Sequence, residues 1–215
     1  MTHSIPVLYG AGYSVYVRAA LMALEAKGIP YERVSVDVFA DTGAPPELLA
    51  LNPFGKIPAF RHGDLVLYET IAITRYVDEA FDGPALQPED IGQRARMTQL
   101  ISMADSFGYR PLVWDIYVES TLRVAEGKIP DLERIEAALP KARRYLAALN
   151  DLASEGPYLL SDEPTLADFQ TAPIFGYFTM SDIGAVILEE FPKLQRWWQA
   201  VSSSAPWIAA STTDT

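Results

Sequence analysis

The spacing of apolar residues changes several times along this chain, and each change marks an element. Residues 5–9 (IPVLY) are a short apolar run closed by Gly10 and Gly12, which predicts a buried strand. From Ser14 the spacing becomes helical: Val17, Ala20, Leu21 and Leu24 share one face, and Lys27-Gly28 stops the helix. Alternation returns in YERVSVDV (31–38), and APPELLALNP (44–53), with prolines at both ends, predicts a short helix. IPAF (57–60) and LVLY (65–68) read as strands around the turn His62-Gly63-Asp64, and ETIAITRYVDEAF (69–81) is amphipathic. The first 81 residues therefore read strand, helix, strand, helix, strand, strand, helix.

Two prolines and two glycines in DGPALQPEDIG (82–92) mark a boundary, with the linker at 82–91 and the first domain ending at residue 81. Everything after it, 92–215, reads as helical. Helices are expected over 93–120, interrupted at Gly108 and Pro111, and over 131–153, 166–180 and 192–204. Pro140 and Pro173 are expected to kink or break two of them. No internal repeat or low-complexity run appears. The pattern is an α/β module followed by an all-α one.

Composition narrows the function classes. With 49% hydrophobic and 21% charged residues the chain is ordinary globular protein. A net charge of −11 argues against nucleic acid or an anionic membrane surface as partner. There is no cysteine, so disulfides, thiolate metal sites and a cysteine nucleophile are excluded. The start of the chain lacks the basic-then-apolar pattern of a signal peptide, and no apolar stretch reaches membrane-spanning length. A cytoplasmic protein is expected.

NPFGKIPAF (52–60) raises the chemical question. Pro58 stands where a strand should begin, and proline lacks the amide a sheet ladder uses. Backbone groups left unpaired there must be satisfied by something. A plain edge-strand proline is one answer, and an extended ligand is the other.

Together with Glu69-Thr70 opening a helix, PTLADF at 164–169 and the helical second half, this segment resembles the cytosolic glutathione transferases, in their serine-type, bacterial-like form. The likeness covers essentially the whole chain. It implies a thioredoxin-like first domain, an all-α second domain that forms the second-substrate pocket, glutathione as co-substrate, a homodimer and a role in detoxification. It also implies a cis bond before Pro58, turning the N–H and C=O of Ile57 toward a cleft where the tripeptide pairs as an added strand. Glu69 would take the γ-glutamyl ammonium. Thr70, at a helix N-terminus suited to carboxylates, would take the carboxylate, although both residues are also ordinary helix-start residues. The family more often has Ser at the position of Thr70. Lys56 resembles the residue that meets the glycine carboxylate, and a solvated turn lysine is the plain alternative.

Thiol activation needs little. Lowering a thiol pKa from about 8.5 by ~2 units takes ~2.7 kcal/mol. One hydrogen bond to the anion supplies ~1.5–3 kcal/mol and a helix N-terminus ~0.3–1 kcal/mol. A single hydroxyl at the start of the first helix suffices. Ser14 sits there, and Ser14-x-x-x-Arg18 resembles the serine-type pattern. An N-cap serine is its ordinary alternative, and Tyr13 and Tyr9 are rival donors.

In the second half, Asp105 resembles an acid that some relatives send across the dimer interface toward the γ-glutamyl amine. Tyr109, one helical turn on, and Trp114 would line the second-substrate pocket with Tyr13, though aromatics at helical spacing are commonly core. Thr165 and Asp168 are expected to form a capping box, with Phe169 packing back on Pro164. Trp197 and Trp198 are expected to pack inward or against the domain interface. His3 and His62 lack partners for a metal site. The expected activity is conjugation of glutathione to an apolar electrophile. A non-catalytic binding or regulatory protein of the same fold, or a glutathione-dependent isomerase or peroxidase, is the alternative.

Overall fold

The computed structural model describes residues 4–212 except residue 42. Two compact units emerge: the residues up to Leu86 together with those from Ala205 onward, and Gln87–Ser204.

The first unit is built on a four-stranded sheet in the order β2-β1-β3-β4. β1 (Val7–Tyr9) pairs in parallel with β2 (Glu32–Val34) and antiparallel with β3 (Ala59–His62), which pairs antiparallel with β4 (Leu65–Tyr68). α1 (Val15–Lys27) starts at an N-cap serine and stops where Gly28 takes the left-handed conformation, φ 63°. α2 (Pro46–Leu51) lies against β3 and β4, and α3 (Thr70–Ala80) packs on α1. At the C-terminal end of α1 the Lys27 ammonium is buried. It donates to Asp78 at 3.2 Å and to the Pro84 carbonyl at 3.0 Å, and Leu86 N–H also reaches Asp78, at 2.8 Å. A cation suits the negative end of a helix.

The second unit is helical. α4 (Ile91–Met103) runs without interruption into wide π-type turns over Ala104–Gly108 and Arg110–Leu122, ending in the single turn α5 (Arg123–Ala125). α6 (Leu132–Leu152), α7 (Leu166–Phe178), α8 (Asp182–Leu188) and α9 (Pro192–Ser202) follow. α7 is buried on all sides, as a helix that is apolar all round must be. Arg134 joins the start of α6 to the π segment, at 2.7 Å from both Asp115 and Glu119.

Asp168, fully buried, completes the capping box with Thr165 and is also a hub. It accepts from Thr165 N–H (2.7 Å) and Oγ1–H (3.0 Å), from Leu159 N–H (2.8 Å) and from the Trp197 indole (2.8 Å). Burial pushes its pKa up, and these donors pull it back.

Three expectations are corrected. Gly108 and Pro111 do not interrupt the first long helix. The chain widens instead, with Tyr109 N–H reaching back five residues to the Ala104 carbonyl, a register that tolerates the amide proline lacks. Gly108 is there for space, since a Cβ would lie 2.7 Å from the Tyr145 ring. Of the kink or break expected at Pro140 and Pro173, the break is corrected, since α6 and α7 each run through as one helix. Finally, the short α8 was not visible in the periodicity, and neither was α10 (Ala205–Thr212), which folds back on α1 in the first unit rather than extending the helical second half.

Candidate active site

Sheet register brings the candidate residues of the first unit to one end. Tyr9 is opposite Val34 on one side and Ala59 on the other, and Ala59 is opposite Tyr68. One step beyond this row lie Gly10, Pro58 and Glu69. The turn to α1, the loop after β2, the entry to β3 and the start of α3 therefore all meet at that end.

The turn Gly10–Ser14 is tightly fixed. Gly10 N–H bonds the Val34 carbonyl at 2.9 Å, and a Cβ on Gly10 would collide with Val17. Arg18 Nε–H reaches the Gly12 carbonyl at 2.6 Å. Ser14 has extended φ/ψ (−79°, 124°), and its Oγ accepts from Val17 N–H at 3.4 Å, so the hydroxyl proton stays free to donate. Tyr13 differs. Its hydroxyl donates to Asp37 Oδ1 at 2.8 Å and accepts from Val38 N–H at 3.1 Å. Burial and Asp37 push the phenol pKa up. The Tyr9 ring stands beneath the Arg61 guanidinium, 5.9 Å away.

Asn52, almost fully buried, builds the next piece. Its Oδ1 accepts from Phe54 N–H at 3.1 Å, and its amide donates to the Lys56 carbonyl at 2.8 Å. Gly55 turns the chain at φ 61°, where a Cβ would come within 2.9 Å of Ala44. The Ile57–Pro58 bond is cis, as the resemblance implied. Lys56 is exposed, and Ile57 and Pro58 are buried. Among the described residues neither the N–H nor the C=O of Ile57 finds a hydrogen-bond partner.

Glu69 is the only described non-glycine residue with positive φ (70°, with ψ 114°). Such a conformation costs ~1–3 kcal/mol and gathers at functional sites. It stands at the N-cap of α3 without a capping side chain, so the first N–H groups of that helix, Thr70 included, open toward the common end of the sheet.

In the second unit Asp105 is exposed and accepts from Gln170 Nε2 at 2.7 Å. Its charge, after burial, helps push the pKa of the fully buried Tyr145 up. Tyr109 and Trp114 are half-buried. Burial raises the Tyr109 pKa, while a hydrogen bond with Trp114 and the charge of Arg110 hold it back. Trp197 packs inward, fully buried.

Sequence reasoning missed Asn52, the strain at Glu69, the Tyr13–Asp37 bond and the Gln170 contact. Only Asn52-Pro53, a turn dipeptide, carries a local signal. His62 bonds the Tyr76 hydroxyl at 2.7 Å, and His3 lies outside the described residues. Among the described residues no group of three or more His, Asp or Glu is arranged to hold a metal, and no helix is long and apolar enough to cross a membrane.

Residues 8–85 match the family described as glutathione S-transferase, N-terminal domain, and residues 112–205 match glutathione S-transferase, C-terminal domain. Glutathione S-transferase 1 of Dianthus caryophyllus is 32% identical over 77% of this chain and 74% of its own. Glutathione transferase F7 of Populus trichocarpa superimposes with a TM-score of 0.84 at 29% identity, over 98% of this chain and all of its own. A glutathione S-transferase-I solved with lactoylglutathione superimposes at 0.83 with 25% identity, over 97% of this chain and 99% of its own.

Proposed function

The chain belongs to the glutathione S-transferase family, and we propose that it activates the thiol of glutathione through Ser14 for attack on an apolar electrophile. One observation carries this reading: the N-termini of α1 and α3 and the unpaired Ile57 peptide groups meet at one end of the sheet. Glutathione is an extended peptide with two carboxylates, an ammonium and a thiol, and each has a counterpart there.

The cysteinyl main chain pairs antiparallel with Ile57, beside Pro58. The γ-glutamyl carboxylate sits at the start of α3, taking the Thr70 hydroxyl and amide, with the Glu69 carboxylate on the ammonium. Lys56, exposed on its turn, meets the glycine carboxylate. The thiolate receives the Ser14 hydroxyl at the positive end of α1. The reaction then forms a carbon–sulfur bond as the electrophile loses its leaving group or takes up a proton.

The serine-type part of the subtype rests on Ser14. The bacterial-like part draws no support from the carnation and poplar relatives. A homodimer belongs to the same reading, with Asp105 reaching the γ-glutamyl amine in the neighbouring subunit and Gln170 holding its carboxylate. Tyr109 and Trp114 line the pocket for the apolar electrophile. Detoxification and a cytoplasmic setting fit this chemistry.

Calorimetric titration with glutathione, followed by a panel of electrophiles, tests the reading. Binding in the millimolar range or tighter and conjugate formation are expected, and no heat at millimolar glutathione contradicts it. Light scattering should give a particle of twice 23.7 kDa, and a 23.7 kDa particle removes the role of Asp105.

A further inference from the structure

We propose that the Tyr13 hydroxyl is a positioning group for Ser14, bolting the turn that carries the thiol donor to the loop after β2. The proposal rests on Ser14 being the donor.

The Ser14 side chain is itself weakly held. Its one hydrogen bond from the protein, Val17 N–H at 3.4 Å, is long, so its aim depends on the backbone that precedes it. That backbone is tied from two sides. Arg18 Nε–H holds the Gly12 carbonyl at 2.6 Å. Tyr13, the very next residue, is held by three consecutive residues of the loop after β2. Its hydroxyl donates to Asp37 Oδ1 at 2.8 Å and accepts from Val38 N–H at 3.1 Å. Its ring lies against Phe39, centroids 5.3 Å apart. The acceptor is fixed in turn, because Asp37 Oδ1 also takes Phe39 N–H at 2.9 Å.

The Phe39 amide and the Tyr13 hydroxyl hold the Asp37 carboxyl below its ordinary pKa, so it is ionised at neutral pH and the bond to Tyr13 is charge-assisted. A phenol whose proton is committed to a carboxylate does not also donate to a thiolate. The geometry therefore separates the two neighbouring hydroxyls: one donates, the other holds the donor in place. Catalytic hydrogen bonds need placement within about 0.5 Å, and supporting contacts of this kind provide it.

The test is the thiolate absorbance of the glutathione complex titrated against pH. Tyr13→Phe and Asp37→Ala should each raise the bound thiol pKa by about 0.5 unit, about threefold weaker stabilisation of the anion. The double variant should shift no further than either single one, and Asp37→Asn, which keeps an acceptor oxygen, should titrate close to the parent. In a Ser14→Ala background Tyr13→Phe should add nothing. Glutathione affinity measured below the bound thiol pKa, where the thiol is protonated, should stay within about twofold throughout, as for a group that acts through Ser14 and not on the peptide.

A shift in Tyr13→Phe without one in Asp37→Ala makes Tyr13 a direct donor and overturns the proposal. Ser14→Ala shifting while both others titrate like the parent overturns it as well and leaves the Ser14 reading standing. Ser14→Ala titrating like the parent overturns both. A purely structural role moves the melting temperature of Tyr13→Phe and leaves the thiol pKa in place, which also refutes it.

Discussion

Replacing Asp168 by alanine removes one acceptor and strands several donors. The carboxylate is fully buried and receives Thr165 N–H, Leu159 N–H and the Trp197 indole N–H, besides the Thr165 hydroxyl, which is able to rotate. An unsatisfied buried donor costs ~1–3 kcal/mol, and three of them, allowing for relaxation and water entry, suggest about 3–5 kcal/mol in total. For a chain of this size each kcal/mol lowers the melting temperature by about 2–4 °C, so a fall of about 6–20 °C is expected. Asp168→Asn keeps one acceptor oxygen but turns an amide donor toward Thr165 N–H, and should fall between parent and alanine. Urea and thermal unfolding followed by Trp fluorescence measure both. A loss below about 1 kcal/mol in Asp168→Ala would mean that the four bonds are not the hub described here. Glutathione affinity should be unchanged, since the proposed peptide contacts do not involve Asp168.

Thr70→Val should weaken glutathione binding about tenfold by calorimetry, one hydrogen bond to a charged group, with little change in turnover at saturation. Lys27→Met should cost about 3 kcal/mol in urea unfolding, because the buried Asp78 carboxylate loses its cation. Gly108→Ala should cost about 1–3 kcal/mol, because its methyl meets the buried Tyr145 ring at 2.7 Å; unchanged stability would show that the π turns yield freely.

What the sequence revealed was what local patterning encodes. The strand, helix, strand order up to residue 81 follows from spacing and Gly/Pro punctuation, and the start of α3 at Thr70 matches the expected 69–81 helix within one residue. The capping box was legible for the same reason, since Thr165 and Asp168 are three residues apart. The π turns were not, because helical breaker rules describe Gly108 and Pro111 in isolation, while Tyr145, on another helix, decides what Gly108 must be. α10 was hidden because a short apolar stretch does not say which surface it will cover. At the site, Ser14, Lys56, Ile57, Pro58, Glu69 and Thr70 were named from motif likeness. The contacts that distinguish Tyr13 from Ser14 span 24 residues of sequence and leave no local trace. Asn52 and the strained φ of Glu69 are likewise properties of the folded chain.

The pKa of the glutathione thiol in the complex, compared between the parent and Ser14→Ala, bears most directly on the proposed chemistry. The variant keeps the helix N-terminus and the peptide site but loses the donor. Glutathione is expected still to bind while its thiol pKa rises by about 1–2 units, the equivalent of one hydrogen bond to an anion worth ~1.5–3 kcal/mol. A Ser14→Ala complex that titrates like the parent would contradict it and assign activation to the backbone amides of α1.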